Sequence, residues 1–463
     1  MASGAIASDR SFPMKPSTTL DPKSLKPALA VLSKKNAAYA RRFPGDFAGR
    51  QPVHTVYGGA HLFKSDSAPK LGELALRSLS RYAPDAITFA RAIGLEEKHA
   101  HKVYDRVVDK LKREPVEDFR IDFEDGYGNR PDAEEDGHAF SAALEVARGL
   151  EEKTLPPFIG IRVKTFSNEL AARSVRTMDI FLTTLIRQTK GQLPPWFCVT
   201  LPKIVHPGQA EALAQLLAAF EKRKKLKPNT IKVELMVETP QSIIGADGTA
   251  PLRAMVDALG ARCTGAHFGT YDYTASCNIT AAHQHMMHAS CDFAKSVMQV
   301  ALAGTGVTMS DGATNVMPVP PHRANPGEYL TAEQDRENVE AVRRAWRLHY
   351  EHATHSLVNG FYQGWDLHPA QLPTRYAAVD AFFLSGLPAA TARLKNFIEK
   401  AAQATLVGDV FDDAATGQGL LNYFLRARNC GAITAEEAAA TGLTPEEFAS
   451  RSFLKILEGR RGR

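Results

Sequence analysis

Eight short apolar runs, each followed by a stretch with helical spacing, constrain this chain more than any other feature. They span residues 53–57, 119–123, 158–163, 197–201, 231–237, 264–269, 307–310 and 357–362. Runs of this length bounded by turn residues read as strands. Strands that alternate with helices form a parallel sheet. Eight such units predict an α/β chain folded as a (β/α)8 TIM barrel. Leu213, Leu216, Leu217 and Phe220 keep one face at helical spacing, and Thr331 with Gln334 makes a capping box ahead of Val339, Val342 and Trp346. The barrel is expected over 51–404, with extra helices in the long connection 62–115. Residues 1–50 read as an arm with one helix over 25–42. Residues 405–463 read as short helices, with capping boxes at Thr434 with Glu437 and Thr444 with Glu447.

Composition narrows the class. With 463 residues, 44% hydrophobic and 23% charged, the chain is neither disordered nor fibrous. Five cysteines, not closely paired, read as free thiols in a reducing, cytoplasmic setting. The first twelve residues hold no apolar core of signal-peptide length, and no uncharged apolar run reaches the roughly 18 residues of a membrane span. A net charge of +5 admits anionic ligands without pointing to nucleic acid. The basic run from Lys222 to Lys227 reads as the solvated end of a helix.

Parity along the strands carries the functional reading. Side chains alternate between the two faces of a strand. In the runs beginning at Phe119, Ile159 and Ile231 the odd positions are apolar and nearly every even one is charged. The helix layer demands the apolar face, so Arg120, Asp122, Glu124, Arg162, Lys164, Glu234 and Glu238 are expected to point into the barrel. Buried charges persist only when paired or bound to a metal or ligand. Arg120, Asp122 and Glu234, low in the barrel, are expected to pair with each other. Glu124, Arg162 and Glu238 sit at the strand C-termini, where barrel active sites lie.

Glu238 ends the fifth strand, and Asp272 follows the sixth in Gly269-Thr270-Tyr271-Asp272. Two carboxylates at one rim suit a hard divalent cation, which needs only one or two protein carboxylates beside water and substrate. An arginine nearby suits the carboxylate of a 2-oxo acid, clamped in a fork.

The succession Ile121-Asp122-Phe123-Glu124-Asp125-Gly126, Ile161-Arg162-Val163, Leu201-Pro202-Lys203, Val237-Glu238-Thr239, Gly269-Thr270-Tyr271-Asp272 and Leu367-His368-Pro369-Ala370-Gln371 resembles the HpcH/HpaI aldolase and citrate lyase beta-subunit-like family. These are metal-dependent barrels of the phosphoenolpyruvate/pyruvate type, related to malate synthase. The resemblance implies that Glu238 and Asp272 hold Mg2+ or Mn2+ and that Arg162 binds a small carboxylated oxo acid. It implies that Glu124 and Asp125 face the metal site, that Gly269 and Thr270 line the oxo-acid pocket, and that His368 stands at its rim. The activity implied is carbon–carbon lyase or aldolase chemistry through an enolate stabilised by the metal. It also implies a homo-oligomer, trimer or hexamer. Some members carry a C-terminal acid in a segment like Gly-x-Met-Ile-Asp; here Gly419-Leu420-Leu421-Asn422 is nearest, and Asn422 cannot act as acid or base. Asp409, Asp412 and Asp413 are the candidates to replace it. That departure counts against a CoA-thioester lyase reaction, which stands with a malate-synthase-like condensation as the alternative; a catalytically silent, metabolite-binding barrel is another.

Further constellations were weighed against plainer roles. His283, His285, His288 and Cys291 are read as a polar helix face rather than a zinc site. His54 and His61 flank Gly58-Gly59, read as a turn or as an anion cradle. Asp311 is read either as a cap or as an acid behind the site. Lys203 as a Schiff-base lysine is disfavoured by the nearby carboxylates.

Overall fold

The computed structural model describes residues 18–399, 405–407, 410–412 and 414–461. Eight parallel strands form the expected barrel: β1 (His54–Gly59), β2 (Asp118–Asp122), β3 (Phe158–Arg162), β4 (Cys198–Leu201), β5 (Lys232–Val237), β6 (Cys263–Phe268), β7 (Thr308–Ser310) and β8 (Gly364–Asp366). Their order is β7-β6-β5-β4-β3-β2-β1-β8. The seam between β7 and β8 is stitched by Asp311 N to Gln363 O at 2.8 Å and Trp365 N to Gly312 O at 3.0 Å.

The eighth strand lies later than its apolar run suggested. Leu357 and Val358 end the long helix Ala332–Val358, with Leu357 on its buried face. Gly360, at φ +81°, turns the chain, and the strand forms at Gly364–Asp366. Its Asp366 is fully buried and paired with His54 and His349 at 2.9 Å each and with Arg375 at 3.0 Å. A strand whose outward side chain is a carboxylate does not look apolar in sequence.

Elsewhere the even–odd rule holds. Phe119, Ile121, Ile159, Ile161, Val233 and Leu235 pack outward into the apolar layer. Inside the barrel, Arg120 donates to Glu234 at 2.7 Å and to Thr200 at 3.1 Å, and also pairs with Asp118. His267 reaches Glu234 at 2.8 Å, and Thr55 donates to Asp118 at 2.9 Å. Lys164 is the exception. β3 stops at Arg162, the chain bends, and the Lys164 amine turns outward to the Phe123 carbonyl at 2.6 Å and Glu135 at 3.3 Å.

Three α-helices, Ser67–Tyr82, Ala86–Ile93 and Ala100–Arg113, fill the connection between β1 and β2. The helix Ala414–Asn429 reaches the opposite, N-terminal end of the strands, where Asn429 accepts from Gln51 N at 2.7 Å and Arg426 donates to Gln51 at 3.0 Å. Both C-terminal capping boxes form. No described helix is long and apolar enough to cross a membrane.

The interior network generates a stability prediction. Arg120→Met leaves Asp118 and Glu234 buried beside one another without their cation. Urea unfolding is expected to show a loss of about 3–5 kcal/mol. Replacing Arg120, Asp118 and Glu234 together by apolar residues should recover most of it.

Candidate active site

Asp122 organises one side of the barrel mouth. It is the register partner of Arg162 across β2 and β3. Arg162 Nε donates to Asp122 Oδ1 at 2.7 Å and Nη2 donates to Oδ2. The same carboxylate accepts Glu124 N at 3.0 Å and Gly126 N at 2.7 Å, folding the loop that carries Glu124 and Asp125. Gly126 is needed there, since a Cβ would lie 2.6 Å from Asp122 Oδ2. Arg162 rests on the ring of Tyr57, 4.9 Å from its centre. Its Nε–Nη2 edge is therefore taken by Asp122, not open as the fork the sequence suggested. Nη1 is the nitrogen left toward the mouth, 3.2 Å from Glu124 and 3.5 Å from Asp125.

Glu238 and Asp272 occupy the other side. Glu238 stands at the end of β5 and is 1% exposed. Its Oε1 accepts Lys203 N at 2.7 Å. Gly269 makes room for it, because a Cβ there would fall 2.4 Å from Glu238 Oε2. Asp272 lies in the first turn of the helix Thr270–Ser276 and is 42% exposed. Thr270, between them in sequence, keeps a buried hydroxyl without a hydrogen-bond partner.

Lys203 joins the two sides. Its amine pairs with Glu124, lies 3.1 Å from both Asp125 oxygens, and stands 3.7 Å from Asp272. Burial works against its charge, but Glu238, Glu124 and Asp125 outweigh burial and hold the amine above its usual range. An amine so firmly protonated lacks the free lone pair that Schiff-base chemistry requires. The left-handed φ of +49° that aims this lysine into the mouth is not written in the Leu201-Pro202-Lys203 motif.

The mouth carries more negative than positive charge. Asp122 and Arg162 cancel, leaving Glu124, Asp125, Glu238 and Asp272 against one ammonium. Burial, then repulsion from Asp272, pushes Glu238 up to about 8 despite Lys203 and Arg162. Burial, with a further contribution from Asp125, pushes Glu124 up to about 7. Hard oxygen donors with unneutralised charge, next to an orphaned hydroxyl, are the chemistry that fits a divalent cation. Among the described residues no group of three or more His, Cys, Asp or Glu side chains is arranged around a metal position. Mg2+ does not require three.

The remaining candidates take structural places. His368 accepts Ala370 N at 3.2 Å as a cap, and it walls a cavity of about 300 Å3 shared with Tyr57 and Gly59. His54 is buried against Asp366. His61 packs edge-on to Tyr127. His288 caps the helix Ala289–Leu302, accepting Ser290 N at 3.1 Å, and His285 stacks on His352. Asp311 accepts Gly312 N at 2.7 Å, Ser356 Oγ at 2.6 Å and the buried Lys295 at 2.9 Å, so it fixes the end of β7. Asn422 accepts from Gln418 at 2.9 Å. Asp409 and Asp413 lie outside the described residues, and Asp412 belongs to a short strand pair, Thr405–Val407 with Val410–Asp412.

Comparison with known proteins agrees with this barrel. A family model described as a domain of unknown function, DUF6986, matches residues 32–456. No curated protein sequence matches. The crystal structure of a citrate lyase from Burkholderia xenovorans LB400 is similar at a TM-score of 0.54 and 18% identity, covering 85% of this chain and 96% of that one. CitE from Mycobacterium tuberculosis, in complex with magnesium, acetoacetate and coenzyme A, gives a TM-score of 0.45 at 14% identity, covering 83% and 100%. Malate synthase from Haloferax volcanii, in a magnesium and glyoxylate complex, gives 0.45 at 14% identity, covering 89% and 98%. At these identities the first likeness is one of fold.

The raised carboxyls set a pH dependence for the metal-free protein. Glu238 and Glu124 bind protons more tightly when folded, at about 8 and 7, than their ordinary 4.5. The stabilisation they give is complete below about pH 4.5 and is lost as the pH rises through 7 and 8. Thermal melts in EDTA are expected to fall across that window, and Glu238→Gln should flatten the fall.

Proposed function

The chain belongs to the DUF6986 family, and from the geometry of its barrel mouth we propose that it is a divalent-metal-dependent carbon–carbon lyase or aldolase acting on a small 2-oxo acid or its aldol adduct. One observation carries the reading: a buried, under-neutralised Glu238 faces Asp272 at a barrel mouth whose other side is held by Arg162. Glu238 and Asp272 would hold Mg2+ or Mn2+. That ion would supply Lewis acidity to the 2-oxo group and stabilise the enolate.

The chain's own residues do the rest. Arg162 Nη1 receives the carboxylate of the oxo acid, and Asp122 and Tyr57 keep the guanidinium from turning. Glu124, held near 7, is the carboxyl suited to take a proton from the carbon and return it. Asp125 stays ionised beside it: burial opposes its charge, but the hydrogen bond with Glu124 and the charges of Arg162 and Lys203 hold it low. The backbone at Gly269 and the hydroxyl of Thr270 line the pocket. Five unpaired cysteines support a reducing, cytoplasmic setting. A homo-oligomer belongs to the same reading.

A second reading, cleavage or condensation of a CoA thioester, is favoured by the cavity of about 300 Å3 beside the mouth. Val56, Phe63, Leu71, Phe119 and Leu372 make it apolar, and Lys64 and Lys70 stand at its edge. An acyl or pantetheine-like chain fits such a lining.

Exchange of solvent deuterium into the methyl group of pyruvate tests the proposal. Exchange is expected with Mg2+ or Mn2+, to stop with EDTA, and to fall at least about 100-fold in Glu238→Gln. Exchange that survives EDTA would overturn the metal. Failure of every oxo acid to exchange would leave a silent, metabolite-binding barrel, and exchange dependent on a CoA thioester would favour the second reading.

A further inference from the structure

Lys203 is placed where a cation belongs. Its amine touches three of the four acids at the mouth, Glu124, Asp125 and Asp272, while its backbone N–H holds the fourth, Glu238, at 2.7 Å. One residue thus reaches the whole acidic set, three acids through its amine and one through its backbone N–H. It does so from a left-handed backbone at φ +49°. Among the described residues Lys153, Lys225 and Arg451 share that conformation as helix caps, and Lys190, Trp196, Asn229 and Asn278 share it outside the cap position. Lys203 follows β4 and ends no helix. A lysine in this region is strained and persists where the surroundings demand it.

A divalent ion on Asp272 would stand next to this ammonium, 3.7 Å from the same carboxylate. Mg2+ binds carboxylate oxygens at about 2.1 Å, closer than any ammonium hydrogen bond, and repels a positive charge beside it. The amine has a way out. Lys203 is 26% exposed, Asp272 42% and Asp125 56%, so its end of the cluster faces solvent, on a flexible four-carbon stem.

We infer that the ammonium of Lys203 is a built-in counter-ion, which fills the carboxylate cluster while no divalent cation is bound and must leave Asp272 for the cation to enter. The inference rests on the metal reading given above and adds a residue that sets metal affinity without being a ligand. It makes apparent metal affinity a competition: whatever the ammonium gains from the acids is lost to the incoming ion.

Titration with Mn2+, read as free ion by electron paramagnetic resonance at low salt, tests it on the full chain. Lys203→Met is expected to bind Mn2+ about tenfold more tightly than the parent. Its metal-free form should melt lower, since the acids have lost their cation, and Lys203→Arg, which keeps the charge, should bind no more tightly than the parent. Glu238→Gln should abolish binding in every background. If the Met variant does not fold, Lys203→Gly, which suits φ +49°, carries the same expectation. Parent-like or weaker binding in the Met variant, with the parent still binding Mn2+, would overturn the counter-ion role and leave the metal reading standing. Binding of Mn2+ by neither protein would overturn both.

Discussion

Charge crowded into a low-dielectric mouth is the constraint on which the site depends. Four carboxylates beyond the Asp122–Arg162 pair converge at the C-terminal ends of β2, β5 and β6, and one ammonium answers them. Burial first, and then repulsion from neighbouring acids, lifts their proton affinity, which is why Glu238 and Glu124 sit above the usual carboxylate range. A fold keeps such an arrangement at a cost to its own stability. Strain retained at the mouth of a barrel points toward something that binds there.

The barrel below the mouth solves the same problem differently. Arg120, Asp118, Glu234, His267, Thr55 and Thr200 bond one another there. The contrast between a floor whose acids pair directly with the Arg120 and His267 side chains and a rim where Glu238 is bonded through the Lys203 backbone N–H separates the residues that hold the fold from those that bear on chemistry, even though all of them are charged side chains on the inner face.

Much of this was legible in the sequence. Alternation in the second, third and fifth strands placed Arg120, Asp122, Arg162, Glu234 and Glu238 inside, because a two-residue period has only two outcomes. It failed at Lys164, where the strand ends two residues earlier, and at the eighth strand, where a helix end imitates an apolar run and the true strand buries Asp366 outward. Register was not legible. That Asp122 faces Arg162 rather than a neighbour to either side follows from strand stagger, and it decides which edge of the guanidinium remains open. Nor was the conformation of Lys203, since a positive φ at a lysine is fixed by its surroundings and not by its own preference.

The most direct measurement is anomalous diffraction from crystals grown with Mn2+. One peak is expected at the mouth, within about 2.1–2.2 Å of oxygens from both Glu238 and Asp272, with the Lys203 amine withdrawn from Asp272. A mouth without a peak at saturating Mn2+, or a peak bound only by other residues, would contradict the metal reading.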